Sequence, residues 1–174
     1  AVFVDLDTEL ASSPSPQSGR HPLPAIEDLQ AAARRWGIGA GSTVVVYDNG
    51  GAMSASRAWW LLRWGGLSDV LLLDGGLAAW AAGGGELATD EVVPAPGDVV
   101  LSPGNLPVLD ADAAASRTGI GLLLDARAGE RYRGEVEPID PRPGHIPGAL
   151  SAPTGENLAA DGRFKTADEL RARF

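Results

Sequence analysis

Short apolar runs alternate with helical patterns along this chain, and this alternation constrains its fold more than any other feature of the sequence. Three runs, over residues 44–47, 70–73 and 122–124, are rich in valine or leucine and bounded by turn residues, which predicts strands buried on both faces. Apolar residues at helical spacing lie between them, over residues 26–36 and 54–64. Because parallel strands are joined by crossover connections, the order predicts an α/β fold in which a mainly parallel sheet is flanked by helices.

Three shorter helices and one long loop complete the prediction. The helices are expected over residues 77–82, over residues 110–117 and from Asp168 onward, and a polar loop is expected over residues 127–148. Three tryptophans are interpreted as core and domain packing: Trp59, Trp60 and Trp80.

Composition and charge exclude several classes of protein. The chain has 174 residues, 44% of them hydrophobic and 21% charged, as in a folded protein, and its net charge of −9 repels phosphate backbones and anionic lipid surfaces. We therefore expect neither a nucleic-acid partner nor a membrane partner. The chain contains no cysteine, which excludes disulfides, thiolate metal sites and a cysteine nucleophile within these residues. Because no histidine pair or carboxylate group has metal-ligand spacing and no export signal is visible, we expect a cytoplasmic protein without a metal or another cofactor.

Two segments resemble each other at a fixed offset. Residues 1–10 and 149–158 both begin with alanine and end with leucine, and both lead through a polar loop into an acidic helix start. The pair predicts two copies of one α/β domain, offset by 148 residues and each incomplete in this chain. Since the chain begins at Ala1 and its only methionine is Met53, we expect a fragment or a processed piece.

A stretch rich in glycine and proline separates the two copies. It predicts a linker over residues 93–108. The first domain then spans residues 1–92 and lacks its N-terminal part. Residues 109–174 form the N-terminal part of the second domain.

The loop after the first predicted strand is a candidate anion site. Asp48 follows the strand, two glycines come next, and a helix opens at Ser54, so that several main-chain N–H groups are exposed in a tight turn. The lysine and hydroxyl residue of a nucleotide-binding P-loop are absent, which argues against nucleotide binding. An aspartate also has the wrong charge for an anion cradle. The alternative is a plain strand-to-helix turn in which Asp48 bonds the local backbone.

A second candidate cluster lies in the polar loop. Asp125 and Arg127 close the third predicted strand, and Arg131 follows. Arginine suits the bidentate binding of sulfonate, carboxylate or phosphate oxygens. The alternative is ion pairing, which we favour for Arg127, whereas both interpretations stay open for Arg131. The carboxylates that could pair with these arginines are Asp125, Glu130, Glu135 and Glu137. His145 is interpreted as a turn residue with satisfied hydrogen bonds.

Taken together and in this order, several segments resemble the tandem-domain rhodanese family of sulfurtransferases. The resemblance spans nearly the whole chain. Its segments are Val2-Phe3-Val4-Asp5-Leu6-Asp7, Gly19-Arg20-His21-Pro22-Leu23-Pro24, Val44-Val45-Val46-Tyr47-Asp48, Ser56-Arg57-Ala58-Trp59-Trp60, Leu73-Asp74-Gly75-Gly76-Leu77 with Trp80, Leu124-Asp125-Ala126-Arg127, Arg131-Tyr132-Arg133-Gly134-Glu135 and Gly144-His145-Ile146-Pro147-Gly148-Ala149.

The resemblance implies two rhodanese domains, the first inactive and the second catalytic. In such proteins a cysteine of the second domain takes sulfane sulfur from thiosulfate or 3-mercaptopyruvate as a persulfide and passes it to cyanide or a thiol. Asp48 matches the position that the cysteine would occupy in the first domain. Because this chain has no cysteine, the nucleophile is expected outside it, and the 174-residue chain itself is predicted to be inactive.

The resemblance also assigns candidate site residues. Arg131 matches the arginine that binds the anionic donor. Asp7 and His21 are similar to first-domain residues that approach the site across the domain interface in the mercaptopyruvate branch. Arg142 is a loose match to a second arginine of that branch, because Asp140 stands at the equal spacing. Three further residues are expected to have structural roles near the site: Asp125, Arg127 and His145.

Two rival functions remain. One is a non-catalytic rhodanese-like module that binds or regulates a partner or small anion. The other is a rhodanese-fold phosphatase, which would need a catalytic cysteine in a longer loop. A cysteine with a glycine-containing loop in the parent protein would indicate an enzyme.

Overall fold

The computed structural model describes residues 1–118 and 120–174 and divides them into two units, Ala1–Pro107 and Val108–Phe174. The boundary falls at the end of the predicted linker. Most of that stretch packs onto the first unit, since Val99 is buried in its core and the N–H of Val99 donates to the carbonyl of Ile38 at 3.2 Å. Arg34 Nε also donates to the carbonyl of Val99, at 2.8 Å.

The first unit alternates helices and strands as the sequence predicts. The predicted segments are confirmed with ends shifted by at most one residue, and one short helix, α1, was not expected. In chain order the elements are α1 (Leu6–Glu9), α2 (Ile26–Arg35), β1 (Val44–Val46), α3 (Met53–Trp64), β2 (Val70–Leu72) and α4 (Gly76–Ala82).

The two strands of this unit pair in parallel, as predicted. Val44 lies opposite Val70 and Val46 opposite Leu72. Helix α3 forms the crossover and packs against both strands. Trp59 on this helix anchors it to the sheet, because its indole N–H donates to the carbonyl of Val70 at 2.9 Å.

The core of the first unit lies between its long helices and the sheet. Leu29 and Ala33 of α2 and Leu61 and Leu62 of α3 are almost completely buried. These positions carry the apolar spacing that predicted both helices. Fully burying one such leucine contributes about 1.5–3 kcal/mol relative to leaving it exposed.

The prediction that the strands are buried on both faces is wrong. Val45 and Leu71 lie opposite each other in the register, and each is 51% exposed. Successive side chains of a strand point to opposite faces, so the residues on either side of Val45 point toward α3 while Val45 points away from it. Among the described residues, only one face of this two-stranded sheet is packed.

Trp80 also differs from its prediction as a core residue. Its side chain is 48% exposed, and its indole N–H donates to the carbonyl of Glu86 at 3.0 Å. A Cβ on Gly85 would lie only 2.2 Å from the indole nitrogen, so the ring packs directly on that glycine. Trp80 therefore fixes the turn after α4. Trp59 and Trp60 are partly buried and pack against the core.

The second unit has shorter elements: α5 (Ala111–Ala115), β3 (Leu124–Asp125), α6 (Gly129–Arg133), β4 (Leu150–Ser151), a 3₁₀ helix (Thr154–Asn157) and α7 (Ala167–Arg173). Strands β3 and β4 pair in parallel, with Leu124 opposite Leu150. The predicted polar loop over residues 127–148 is wrong in part, because it contains α6.

Short helices of the two units recur at the predicted offset. The 3₁₀ helix Thr154–Asn157 stands 148 residues after α1. In α1, Asp5 caps the helix by accepting a hydrogen bond from the N–H of Thr8 at 2.9 Å. None of the helices in the described part of the chain is long and apolar enough to cross a bilayer.

Candidate functional site

Asp48 lies at the carboxyl end of the parallel strand β1, where the sequence predicts an anion cradle. One carboxylate oxygen, Oδ1, accepts hydrogen bonds from the N–H groups of Gly50 and Ala52, both at 2.9 Å. The other, Oδ2, accepts from the N–H of Ala55 on α3, also at 2.9 Å. The main-chain donors of this loop are therefore directed at a side chain of the loop itself.

These hydrogen bonds favour the ionised form of Asp48. Partial burial on its own raises the pKa of Asp48, but N–H donors from Ala55, Gly50, Ala52 and Ser54 together hold that pKa below its ordinary value. The carboxylate, which is ionised at neutral pH in any case, therefore stays ionised to a lower pH than an ordinary aspartate does. It supplies within the chain the negative charge that a bound anion would supply.

Close packing fixes the loop against the next helix. Gly76 has φ of +59°, and a Cβ there would lie 2.3 Å from the carbonyl oxygen of Asp48, so only glycine fits. The N–H of Leu77 donates to the same carbonyl at 3.3 Å. Ala52 also lies in the left-handed region, at φ of +65°, which costs a residue with a side chain roughly 1 kcal/mol.

Asp7 and His21 form a hydrogen-bonded pair in the first unit. His21 Nε2 lies 2.9 Å from Asp7 Oδ1, and both side chains are exposed. An ionised carboxylate accepts only, so Nε2 carries the proton. Asp7 lies on α1, and His21 lies in the loop that leads to α2. Whether the pair contacts a substrate stays a prediction.

Arg57 of α3 binds main-chain carbonyls at both ends of the loop between α1 and α2, a role that the sequence did not reveal. Its Nε donates to the carbonyl of Leu10 at 2.8 Å, and its Nη2 donates to the carbonyls of His21 and Pro22, both at 3.0 Å. Partial burial lowers the pKa of the Arg57 guanidinium. The fork geometry of arginine allows one side chain to bridge three carbonyls.

In the second unit, Arg131 is held by two carboxylates. Its Nη2 donates to Glu137 Oε1 at 2.7 Å and to Asp140 Oδ2 at 2.8 Å, and its Nε donates to Glu137 Oε2 at 3.2 Å. Only 15% of the Arg131 side chain is exposed. The ion pairing that the sequence left open for Arg131 is therefore present, and its role in donor binding stays a prediction.

Glu137 is the centre of this cluster. Its carboxylate also accepts hydrogen bonds from the N–H groups of Asp140 at 2.9 Å and Ile139 at 3.1 Å. The hydrogen bond from Arg131, together with these N–H donors, lowers the pKa of Glu137 to about 2. The sequence marked Glu137 only as one of several carboxylates that could pair with an arginine.

Arg127 and Asp125 join the same cluster. Arg127 Nη2 donates to Asp125 Oδ2 and to the carbonyl of Gly144, each at 2.6 Å, and Nη1 donates to Glu137 at 3.3 Å. The hydrogen bond between Arg127 and Asp125 lowers the pKa of Asp125 and raises the pKa of Arg127. The contacts are those of a structural pair that closes the loop after β3.

His145 and Arg142 have different surroundings. His145 Nδ1 lies 2.8 Å from the carbonyl of Tyr132, and its ring stacks on that of Tyr132 with centroids 3.8 Å apart. Arg142 is exposed, and its role in donor binding stays a prediction. The part of the chain that the structure describes also contains no group of three or more acidic, histidine or cysteine residues that could hold a metal ion.

Comparisons with known proteins agree with this architecture. Residues 1–83 match the family model of the rhodanese-like domain. The whole chain is 49% identical over 179 aligned residues to a probable 3-mercaptopyruvate sulfurtransferase of Pseudomonas aeruginosa, and 37% identical over 187 to a 3-mercaptopyruvate sulfurtransferase of Escherichia coli. It spans 63% and 62% of the length of these two relatives.

Solved structures show the same similarity in three dimensions. The crystal structure of the 3-mercaptopyruvate sulfurtransferase SseA from E. coli superimposes with a TM-score of 0.82 at 36% identity, covering 99% of this chain and 64% of that one. A 3-mercaptopyruvate sulfurtransferase from Leishmania major superimposes with a TM-score of 0.83 at 29% identity, covering 97% of this chain and 48% of that one. With its parallel strands, crossover helices and family match, the chain belongs to the rhodanese family.

Proposed function

We propose that this chain is part of a sulfurtransferase that moves sulfane sulfur from a small anionic donor to a thiol or to cyanide. The observation that carries the proposal is the match along the whole chain to a probable 3-mercaptopyruvate sulfurtransferase at 49% identity. Thiosulfate and 3-mercaptopyruvate are the proposed donors. The cytoplasm is the proposed location.

The covalent step requires a cysteine that these 174 residues do not contain. We assign it to a longer protein that includes this chain. A thiolate there attacks the outer sulfur of thiosulfate, the S–S bond breaks, and sulfite leaves with the bonding electron pair. Cyanide then attacks the outer sulfur of the persulfide, which forms thiocyanate and regenerates the thiolate.

Arg131 is the proposed donor-binding residue. It is a nearly buried guanidinium, and a guanidinium binds carboxylate or sulfonate oxygens through paired N–H donors. Arg127 and Asp125 support it by closing the loop. We propose Asp7, His21 and Arg142 as further donor contacts, on the resemblance alone.

Steady-state kinetics of the longer protein test this function. We expect thiocyanate production from thiosulfate and cyanide, and an increase of about tenfold or more in the KM for thiosulfate in Arg131→Ala, because hydrogen bonds to charged groups contribute about 1.5–3 kcal/mol. Arg133→Ala is the matched control, since Arg133 lies on the same helix and pairs with the exposed Glu135. Unchanged kinetics in Arg131→Ala would assign Arg131 a structural role only.

The 174-residue chain provides a second arm of the test. It should produce no thiocyanate, because it has no thiol to accept sulfur. Clear turnover by this chain would overturn the assignment of the nucleophile.

A non-catalytic binding or regulatory module is the second candidate. The first unit favours this candidate, because the Asp48 carboxylate already accepts hydrogen bonds from the main-chain N–H groups of its loop. Binding of thiosulfate without any turnover in the longer protein would select this candidate.

A further inference from the structure

We propose that the carboxylate of Asp140 occupies the outer side of the Arg131 guanidinium and must move aside before a donor binds, so that Asp140 sets the affinity for the donor. The inference rests on the proposed function, because it takes Arg131 as the donor-binding residue. It adds a residue that determines affinity and discriminates between donors.

The two carboxylates on Arg131 are held very differently. The Glu137 side chain is 5% exposed, and two main-chain N–H groups donate to its carboxylate. The Asp140 side chain is 36% exposed, accepts a hydrogen bond from the same Nη2 of Arg131 at 2.8 Å and lies 3.9 Å from Nη1 of Arg127. Because Asp140 is the more exposed of the two carboxylates, it is the one that an incoming anion can reach and displace from Arg131.

Glu137 keeps Arg131 in place when Asp140 leaves. It binds both Nε at 3.2 Å and Nη2 at 2.7 Å, which is a bidentate arrangement that fixes the plane of the guanidinium. Displacement of Asp140 therefore releases a donor position on Arg131 without releasing the side chain. An anionic donor would find the guanidinium already oriented.

The charge of the cluster explains why displacement is needed. The cluster consists of two guanidiniums, Arg127 and Arg131, and three carboxylates, Asp125, Glu137 and Asp140. Its net charge is therefore −1. An anion approaching the intact cluster is repelled by this excess. When Asp140 turns away, the remaining four groups are neutral as a set.

The same exchange discriminates between donors by charge. The 3-mercaptopyruvate anion carries one negative charge, on its carboxylate, whereas thiosulfate carries two. The displaced Asp140 carboxylate stays in the same loop and repels the donor in proportion to the donor's charge. We therefore expect Asp140 to weaken the binding of thiosulfate more than that of 3-mercaptopyruvate.

The test is the variant Asp140→Asn in the longer protein, with both donors. The KM of each donor should fall by about three- to tenfold with kcat within about twofold, because partly exposed ion pairs contribute roughly 1 kcal/mol. The fall should be larger for thiosulfate, which carries the higher charge. Glu130→Gln is the matched control, since it removes one charge from an exposed position of the same helix as Arg131. Its KM values should stay unchanged.

A direct measurement of binding distinguishes a change in affinity from a folding defect. In the unsubstituted protein, titration with thiosulfate should shift the Nε–H resonance of Arg131 in ¹H–¹⁵N spectra, and Asp140→Ala should give the same shift at lower thiosulfate concentration. Unchanged KM values in Asp140→Asn, or an equal fall in Glu130→Gln, would overturn the inference. If Arg131→Ala raises KM while Asp140→Asn has no effect, only the inference fails. If Arg131→Ala has no effect, the role of Arg131 in the proposed function fails as well.

Discussion

Asp48 and Glu137 are carboxylates that accept hydrogen bonds from main-chain N–H groups within a few residues of themselves, and the pKa of each is lowered. Asp48 is stabilised by main-chain donors, whereas Glu137 also has the guanidinium of Arg131. Each carboxylate therefore stays charged to a lower pH than an ordinary carboxylate does. The conformation of each loop depends on that charge, because a protonated carboxyl loses acceptor strength toward every donor around it.

Acid should destabilise the second unit through Glu137. Its pKa falls from an ordinary 4.5 to about 2 in the folded chain, so the unfolded chain binds more protons between these values. The stabilisation from Glu137 is complete above pH 4.5 and is lost as the pH falls toward 2. We expect the carboxyl carbon of Glu137 to titrate near pH 2 in ¹³C spectra, whereas Glu137→Gln should remove this part of the acid sensitivity and Glu130→Gln should not. A Glu137 midpoint near 4.5 would contradict the prediction.

At the scale of elements, apolar spacing predicted some features and missed others. Helices α2 and α3 were predictable, because each buries a stripe of leucine and alanine. Helix α6 was not, since its five residues are a glycine, a tyrosine and three charged residues, and none of them is aliphatic. Gly134, with φ of +76°, ends it. The position of Asp48 followed from the strand-glycine-helix order, but the choice of Glu137 and Asp140 as partners of Arg131 depends on the fold of a loop that holds several carboxylates.

The position of the segment that carries His21 should depend on Arg57 of helix α3. Arg57→Lys leaves one ammonium where three carbonyls were bridged, so we expect a loss of about 2 kcal/mol in the free energy of unfolding. The loss should be accompanied by broadening of the His21 imidazole resonances in ¹H–¹⁵N spectra. Arg63→Lys is the control, because Arg63 on the same helix donates to the carbonyl of Ser68 at 2.9 Å. A sharp, unshifted His21 signal in Arg57→Lys would show that the arginine does not position this loop.

Across the whole molecule, apolar burial is concentrated in the first unit. Its buried residues include Leu29, Leu61 and Leu62, whereas Ala149 is the only hydrophobic residue of the second unit that is buried among the described residues. The second unit is held instead by a short parallel strand pair, by the cluster around Glu137 and by a hydrogen bond from the Tyr132 hydroxyl to the carbonyl of Ala149 at 2.8 Å. Ion pairs that are partly open to solvent contribute less than a packed apolar core.

This imbalance predicts that the second unit of the 174-residue chain unfolds first in urea. All five tryptophans lie in the first unit, so tryptophan fluorescence reports on that unit, and the His145 resonance, with its ring stacked on Tyr132, reports on the other. We expect the His145 signal to reach its midpoint at a lower urea concentration than the fluorescence. Leu62→Ala, which should cost about 2–5 kcal/mol in the first core, should lower only the fluorescence midpoint. Coincident midpoints that move together in Leu62→Ala would mean that the two units unfold as one cooperative body, and the difference in apolar burial would then not determine the order of unfolding.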